Sequence, residues 1–140
     1  MLHLFHPAFV HFSVAFILAG GGAEIWGLTT GRETARRWGA VLVLVGLGTL
    51  VPTLASGYLA GNTVEISEAS RSLLDAHERN GWILLALLFG TQFWKGWRGG
   101  KLGESERWLY VVVMAATMLL TAYGAWLGGR MVYGHGIGVL

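Results

Sequence analysis

The first long apolar run of the chain, residues 8–28, reads AFVHFSVAFILAGGGAEIWGL and contains a single charged residue, Glu24. A helix needs about 20 predominantly apolar residues to cross the hydrocarbon core of a bilayer. Three more runs approach or exceed that length, at 38–60, 81–97 and 108–131. The sequence therefore predicts four transmembrane helices.

The third run is the shortest, and the polar residues just before it suit an interfacial first turn. We therefore expect the third helix to cover about 78–97. The long connection 61–76 is polar and is expected to be helical in part. No internal repeat or second domain is evident, so the prediction is one domain over 1–140. Its expected fold is an all-α integral membrane protein, an up-down-up-down bundle of four helices.

The composition excludes several classes of protein. Of the 140 residues, 54% are hydrophobic and only 13% are charged, which is too apolar for an ordinary soluble surface. The formal net charge of +2 is spread over loops and provides no basic face for nucleic acid. The absence of cysteine excludes disulfides, Cys-ligated zinc, iron–sulfur clusters and covalently attached haem. Any metal must be held by other side chains.

The cations predict the orientation, because short cytoplasmic loops accumulate Lys and Arg. The side of the membrane with the first and third connections has seven Lys and Arg residues, and the other side has three. Both termini are therefore predicted to lie outside, and the expected location is a bacterial inner membrane. Tryptophans cluster at the proposed cytoplasmic ends, as interfacial anchors do. The seven cations are Arg32, Arg36, Arg37, Lys95, Arg98, Lys101 and Arg107.

Four of the five histidines are predicted to gather on the outer side. His6 and His11 lie at the start of helix one, His77 precedes helix three, and His135 follows helix four. In an up-down-up-down bundle these three places share one end. His6 and His11 are five residues apart and point about 140° away from each other on a regular helix. This geometry suits two separate ligation events, each with a histidine from another helix.

Two imidazoles from facing helices can ligate the iron of a b-type haem above and below the porphyrin, which suits electron transfer. The four histidines could hold two haems, or one haem with the other two binding propionates or quinone. A copper, zinc or iron site is the alternative that imidazole chemistry leaves open. Asp75 and Glu78 could complete such a site or orient an imidazole.

Two further features have both a structural and a functional interpretation. The many glycines within the spans indicate tight helix packing, or space for a flat cofactor between helices. Glu24 is costly inside a membrane and needs a partner or a proton role. We expect it to pair with Arg36 or Arg37 near the interface.

The motifs around the histidines resemble a known family. They are HPAFVHF at 6–12, HERNG at 77–81 and GGRMVYGHGIGV at 128–139. Together they are similar to the bacterial membrane-protein family catalogued as domain of unknown function 2231, over essentially the whole chain. Ser13 stands where the family more often has proline. The resemblance implies a four-helix architecture and directs attention to the four histidines, while the haem hypothesis rests on imidazole chemistry.

The leading hypothesis is a membrane-bound b-type cytochrome with one or two bis-histidine haems near the periplasmic face. It would transfer electrons between quinol, or a membrane redox complex, and a periplasmic carrier. We expect an electron-transfer protein more than a catalyst with its own substrate. The alternatives are a non-redox accessory subunit of a larger membrane complex and a His-ligated copper, zinc or iron site. The expected partner is the lipid bilayer, a homo-oligomer is a further possibility, and nucleic acid is not expected.

Overall fold

The computed structural model describes residues 5–63 and 66–137, which form four long helices and no strand. The helices are α1 (Phe5–Thr30), α2 (Glu33–Gly61), α3 (Glu68–Trp97) and α4 (Glu104–Gly129). The prediction of an all-helical chain with four helices is confirmed. The first three apolar runs each lie inside one helix, and the fourth extends two residues beyond α4. The predictions that concern residues 1–4 and 138–140 lie outside the described residues.

The helices are longer than the apolar runs that predicted them. α2 begins at Glu33 and α4 at Glu104, and these carboxylates favour a helix N-terminus because they oppose its partial positive charge. The largest difference is in α3, which begins at Glu68 and not near residue 78. The second part of the connection between α2 and α3 is therefore helical, as its polar character allowed.

The end of α4 changes its hydrogen-bonding pattern. Residues Arg130–Gly134 form a π-helical turn directly after the α-helix. Gly136 follows with a φ of +64°, a left-handed conformation that glycine adopts without steric cost. The turn contacts α3 as well as α4, so it is packed against the bundle.

Each helix contacts two others. α1 packs against α2 and α4, and α3 packs against α2 and α4, whereas the backbones of α1 and α3, and those of α2 and α4, do not approach each other closely within the described residues. Neighbouring helices run antiparallel. Early residues of one helix meet late residues of the next, as when Gly57 of α2 meets His6 of α1 and Gly128 of α4 meets His77 of α3. α1 and α3 are therefore diagonal partners across the bundle.

Glycines bring α1 and α2 into close contact. A Cβ atom added at Gly20 would lie 2.7 Å from the backbone nitrogen of Val43, and one at Gly46 would lie 2.8 Å from Cγ1 of Ile17. A Cβ added at Gly39 would likewise meet the backbone of Glu24. The packing interpretation of the glycines therefore holds for this interface, where small residues permit backbone approach.

Three of the helical segments are long and apolar enough to cross a membrane, namely Phe5–Thr30, Glu33–Gly61 and Glu104–Gly134. α3 is not among them. Its first part carries several charged residues, and its apolar part also contains Gln92 and Lys95. Large apolar side chains are nevertheless exposed on all four helices, including Phe12, Val51, Phe89 and Leu119. Such a surface is expected of a protein that meets lipid and not water.

Candidate cofactor site

The structure brings His6, His11, His77 and His135 to one end of the bundle, called here the histidine end. His6 and His11 lie on the first turns of α1, His77 lies on α3, and His135 directly follows the π-helical turn. Their surroundings differ, and the differences separate the four residues into two pairs.

His6 is held against α2. Its Nδ1 atom lies 3.0 Å from the carbonyl oxygen of Thr53 and 3.1 Å from Oγ of Ser56. A carbonyl oxygen can only accept a hydrogen bond, so Nδ1 carries the proton and Nε2 keeps its lone pair. Gly57 makes room for the ring, because a Cβ there would lie 2.8 Å from Cε1 of His6. This is the arrangement in which a histidine binds metal, with one nitrogen anchored and the other free.

A hydroxyl cluster fixes α2 beside His6. Ser13 Oγ lies 2.8 Å from Thr53 Oγ1 and donates to Thr49 Oγ1 at 3.2 Å. Ser13 is 3% exposed, so these bonds are shielded from solvent. Ser13 therefore ties α1 to the segment of α2 that orients His6.

His77 lies on the diagonal helix and is partly buried. Its Nδ1 atom is buried and has no hydrogen-bond partner among the described residues. Burial lowers the pKa of His77 from its ordinary value, and the nearby His6 lowers it further. His77 therefore lies close to His6 and has a ring nitrogen whose hydrogen-bonding capacity is unused among the described residues.

The other two histidines lie on the surface. His11 is exposed, and its Nδ1 atom bonds to the carbonyl oxygen of Pro7 within α1. His135 is also exposed, and its Nδ1 atom lies 3.0 Å from Oγ of Ser70. The prediction that His6 and His11 point apart is confirmed. The structure does not bring His11 into the environment that His6 and His77 share.

The neighbouring carboxylates do not orient the histidines. Neither Asp75 nor Glu78 forms a hydrogen bond with a histidine in the part of the chain that the structure describes. Over residues 5–63 and 66–137, no three His, Asp or Glu side chains gather closely enough to hold a metal ion together. The acceptors that orient these imidazoles are backbone carbonyls and serine hydroxyls.

The opposite end of the bundle contains a buried polar cluster. Glu24 is 1% exposed, and its Oε1 accepts a hydrogen bond from Lys95 Nζ at 2.6 Å. Its Oε2 accepts one from the hydroxyl of Tyr110 at 2.8 Å, and that hydroxyl accepts one from Gln92 Nε2 at 3.0 Å. Residues from α1, α3 and α4 thus meet in one hydrogen-bonded network.

The expected partner of Glu24 was wrong. Arg36 and Arg37 both pair with Glu33, one helical turn before them, at 2.7 and 3.3 Å. Glu24 instead faces the interior, where it forms a salt bridge with Lys95. The sequence carried a signal of this pairing, because Lys95 interrupts an aromatic stretch, Phe93-Trp94-Lys95-Gly96-Trp97.

Comparisons with known proteins agree with this architecture. A family model described as "Predicted membrane protein (DUF2231)" matches residues 2–140. No curated protein and no solved structure matches the chain.

Proposed function

Because the chain belongs to this family of membrane proteins, we propose that it is a membrane-embedded electron-transfer protein in which His6 and His77 hold a b-type haem. The observation that carries the proposal is the pair of inward imidazoles on diagonal helices. His6 has its Nδ1 atom fixed on Thr53, which leaves Nε2 free, and His77 has a buried nitrogen without a partner.

The residues beside this pair are small. Gly57 and Gly128 lie next to the two imidazoles on the remaining helices and make room for the rings, since an added Cβ would lie 2.8 Å from Cε1 of His6 and 3.5 Å from Cε1 of His77. A bis-histidine haem needs only two protein ligands, whereas a zinc or copper site usually needs three or more. The described residues provide the pair and not the larger cluster.

Each residue has a definite role in the proposal. A bound haem b supplies reversible one-electron chemistry. The carbonyl of Thr53 and the hydroxyl of Ser56 keep the His6 ring in one orientation and one tautomer. Burial lowers the pKa of His77 and so favours the neutral form, which is the form that binds iron. If both imidazoles held the iron, no position would remain open for a substrate, which favours electron transfer over catalysis.

The membrane arrangement completes the proposal. All four helices cross a bacterial inner membrane, and α3 takes part because it exposes an apolar face that includes Trp82, Phe89 and Phe93. Both termini lie outside, since seven of the ten Lys and Arg residues belong to the other side. The histidine end then faces the periplasm. Electrons would pass there between quinol, or a redox complex in the membrane, and a periplasmic carrier.

An absorption spectrum tests this function directly. The full chain is expressed in haem-replete bacteria, purified in detergent and measured in the oxidised and reduced states. We expect a Soret band, a sharp α-band on reduction and a pyridine haemochrome spectrum of haem b. A colourless preparation from such cells would refute the proposal.

A further inference from the structure

A groove on the outside of the histidine end has the character of a binding site for an anion. It lies between α3 and α4 and has a volume of about 340 Å³. Four of its lining residues are polar or aromatic groups of α4 and the segment that follows it. They are Tyr123, Trp126, Arg130 and His135.

Arg130 is the charged group of the groove. Its guanidinium carbon lies 5.0 Å from the centre of the Trp126 ring, so the aromatic face positions the cation. Arg130 forms no salt bridge with any residue that the structure describes, and none of the residues lining the groove is acidic. The positive charge is thus held in place without a counter-charge from the described residues.

Two hydrogen-bonding side chains face the same space. Ser72 of α3 lines the groove, and so does His135, whose Nδ1 atom is occupied by Ser70. His135 is placed there by the π-helical turn Arg130–Gly134, a distortion of helices that is often found at functional sites. Arginine and hydroxyl donors are the groups that recognise phosphate oxygens.

The position of the groove identifies the source of the anion. Trp126 and Tyr123 stack with their ring centres 5.7 Å apart and are 53% and 46% exposed. Exposed aromatic rings of this kind mark the headgroup level at the ends of membrane helices. A ligand would therefore reach Arg130 sideways from the lipid layer.

We propose that this groove binds the phosphate of an anionic phospholipid, with Arg130 as the charge partner and Ser72 and His135 as hydrogen-bonding groups. The site does not depend on the haem proposal, because it lies on the outer surface between α3 and α4. It would anchor the end of α4, and with it the π-helical turn, to the surrounding lipid.

Native mass spectrometry of the full chain in detergent, titrated with dioleoyl phosphatidylglycerol or dioleoyl phosphatidylcholine, tests the proposal. We expect phosphatidylglycerol to bind about fivefold more tightly, as roughly 1 kcal/mol for one arginine contact implies. Arg130→Gln should remove this preference. Arg79→Gln is the matched control, because Arg79 is an exposed arginine of the same end that does not line the groove, and it should keep the preference.

Two further experiments test the nature of the ligand and the role of Ser72. The first distinguishes the two sources of phosphate. Because the ligand enters from the lipid layer, millimolar inorganic phosphate should not displace phosphatidylglycerol, and full displacement would overturn the phospholipid as the occupant. Ser72→Ala, a mild change at an exposed position, should weaken the preference without altering helicity. An unchanged preference in Arg130→Gln, or equal binding of both lipids by the unaltered protein, would overturn the proposal.

Discussion

The carboxylate of Glu24 and the ammonium of Lys95 lie 2.6 Å apart although 71 residues separate them in the sequence. The contact joins α1 to α3, the two helices that are otherwise diagonal in the bundle. Tyr110 of α4 completes the link by bonding to the second oxygen of the carboxylate. The end of the bundle opposite the histidines is therefore held together by charge and hydrogen bonds where direct packing is missing.

Removal of the cation should destabilise the fold. In Lys95→Met the Glu24 carboxylate stays buried without its charge partner, which typically costs about 3–5 kcal/mol. We expect a matching fall in the free energy of unfolding, measured by titration of the detergent-solubilised protein with sodium dodecyl sulfate. The double variant Glu24→Gln, Lys95→Met should recover much of the loss, because neither charge is left alone. Equal stability of Lys95→Met and the unaltered protein would show that the pair does not hold the bundle.

The interface between α1 and α2 should not tolerate even one added methyl group where the two backbones are in close contact. A Cβ at Gly39 would meet the backbone of Glu24, whereas a Cβ at Gly48, on the same helix, has nothing within 4 Å. We expect Gly39→Ala to cost about 1–3 kcal/mol in the same unfolding titration, as overpacking does. Gly48→Ala should range from no change to a gain of about 1 kcal/mol. Similar effects at both sites would contradict the close packing.

The sequence predicted the helices better than their contacts. The apolar runs located all four helices, because each run must be shielded from water whatever its neighbours are. The beginning of α3 was missed, since its first ten residues are polar and helical without being apolar. The partner of Glu24 was missed because rotation of each helix about its axis decides which charges face inward, and Lys95 is distant in sequence.

The histidines show the same contrast between features that the sequence predicts and features that depend on how the helices pack. Alternating helix direction was enough to bring His6, His77 and His135 to one end, and the five-residue spacing was enough to point His6 and His11 apart. The sequence did not reveal that Thr53 and Ser56 would orient His6. It also did not reveal that His11 and His135 would be exposed, because both outcomes depend on the packing of α2 and on the π-helical turn.

Labelling of single cysteines should reveal the orientation, and the natural absence of cysteine makes this test clean. Exposed positions are available on both sides: Thr34 and Lys101 in the proposed cytoplasmic regions, and Asn62 in the proposed outer one. We expect a membrane-impermeant maleimide to label Asn62→Cys in intact spheroplasts, and Thr34→Cys and Lys101→Cys only after permeabilisation. Because α3 lies between 62 and 101, opposite accessibility of these two sites would also show that α3 spans the membrane. Labelling of both from the same side would contradict this.

The haem content of four histidine variants is the most direct measure of the central claim. The haem-to-protein ratio is determined by the pyridine haemochrome test for His6→Ala, His77→Ala, His11→Ala and His135→Ala, with circular dichroism to verify that each variant retains its helices. The account predicts that the first two lose the haem, since they remove the inward ligands, and that the last two keep a ratio near that of the unaltered protein. Haem retained in His6→Ala and His77→Ala, or lost only from the variants of the exposed histidines, would contradict it.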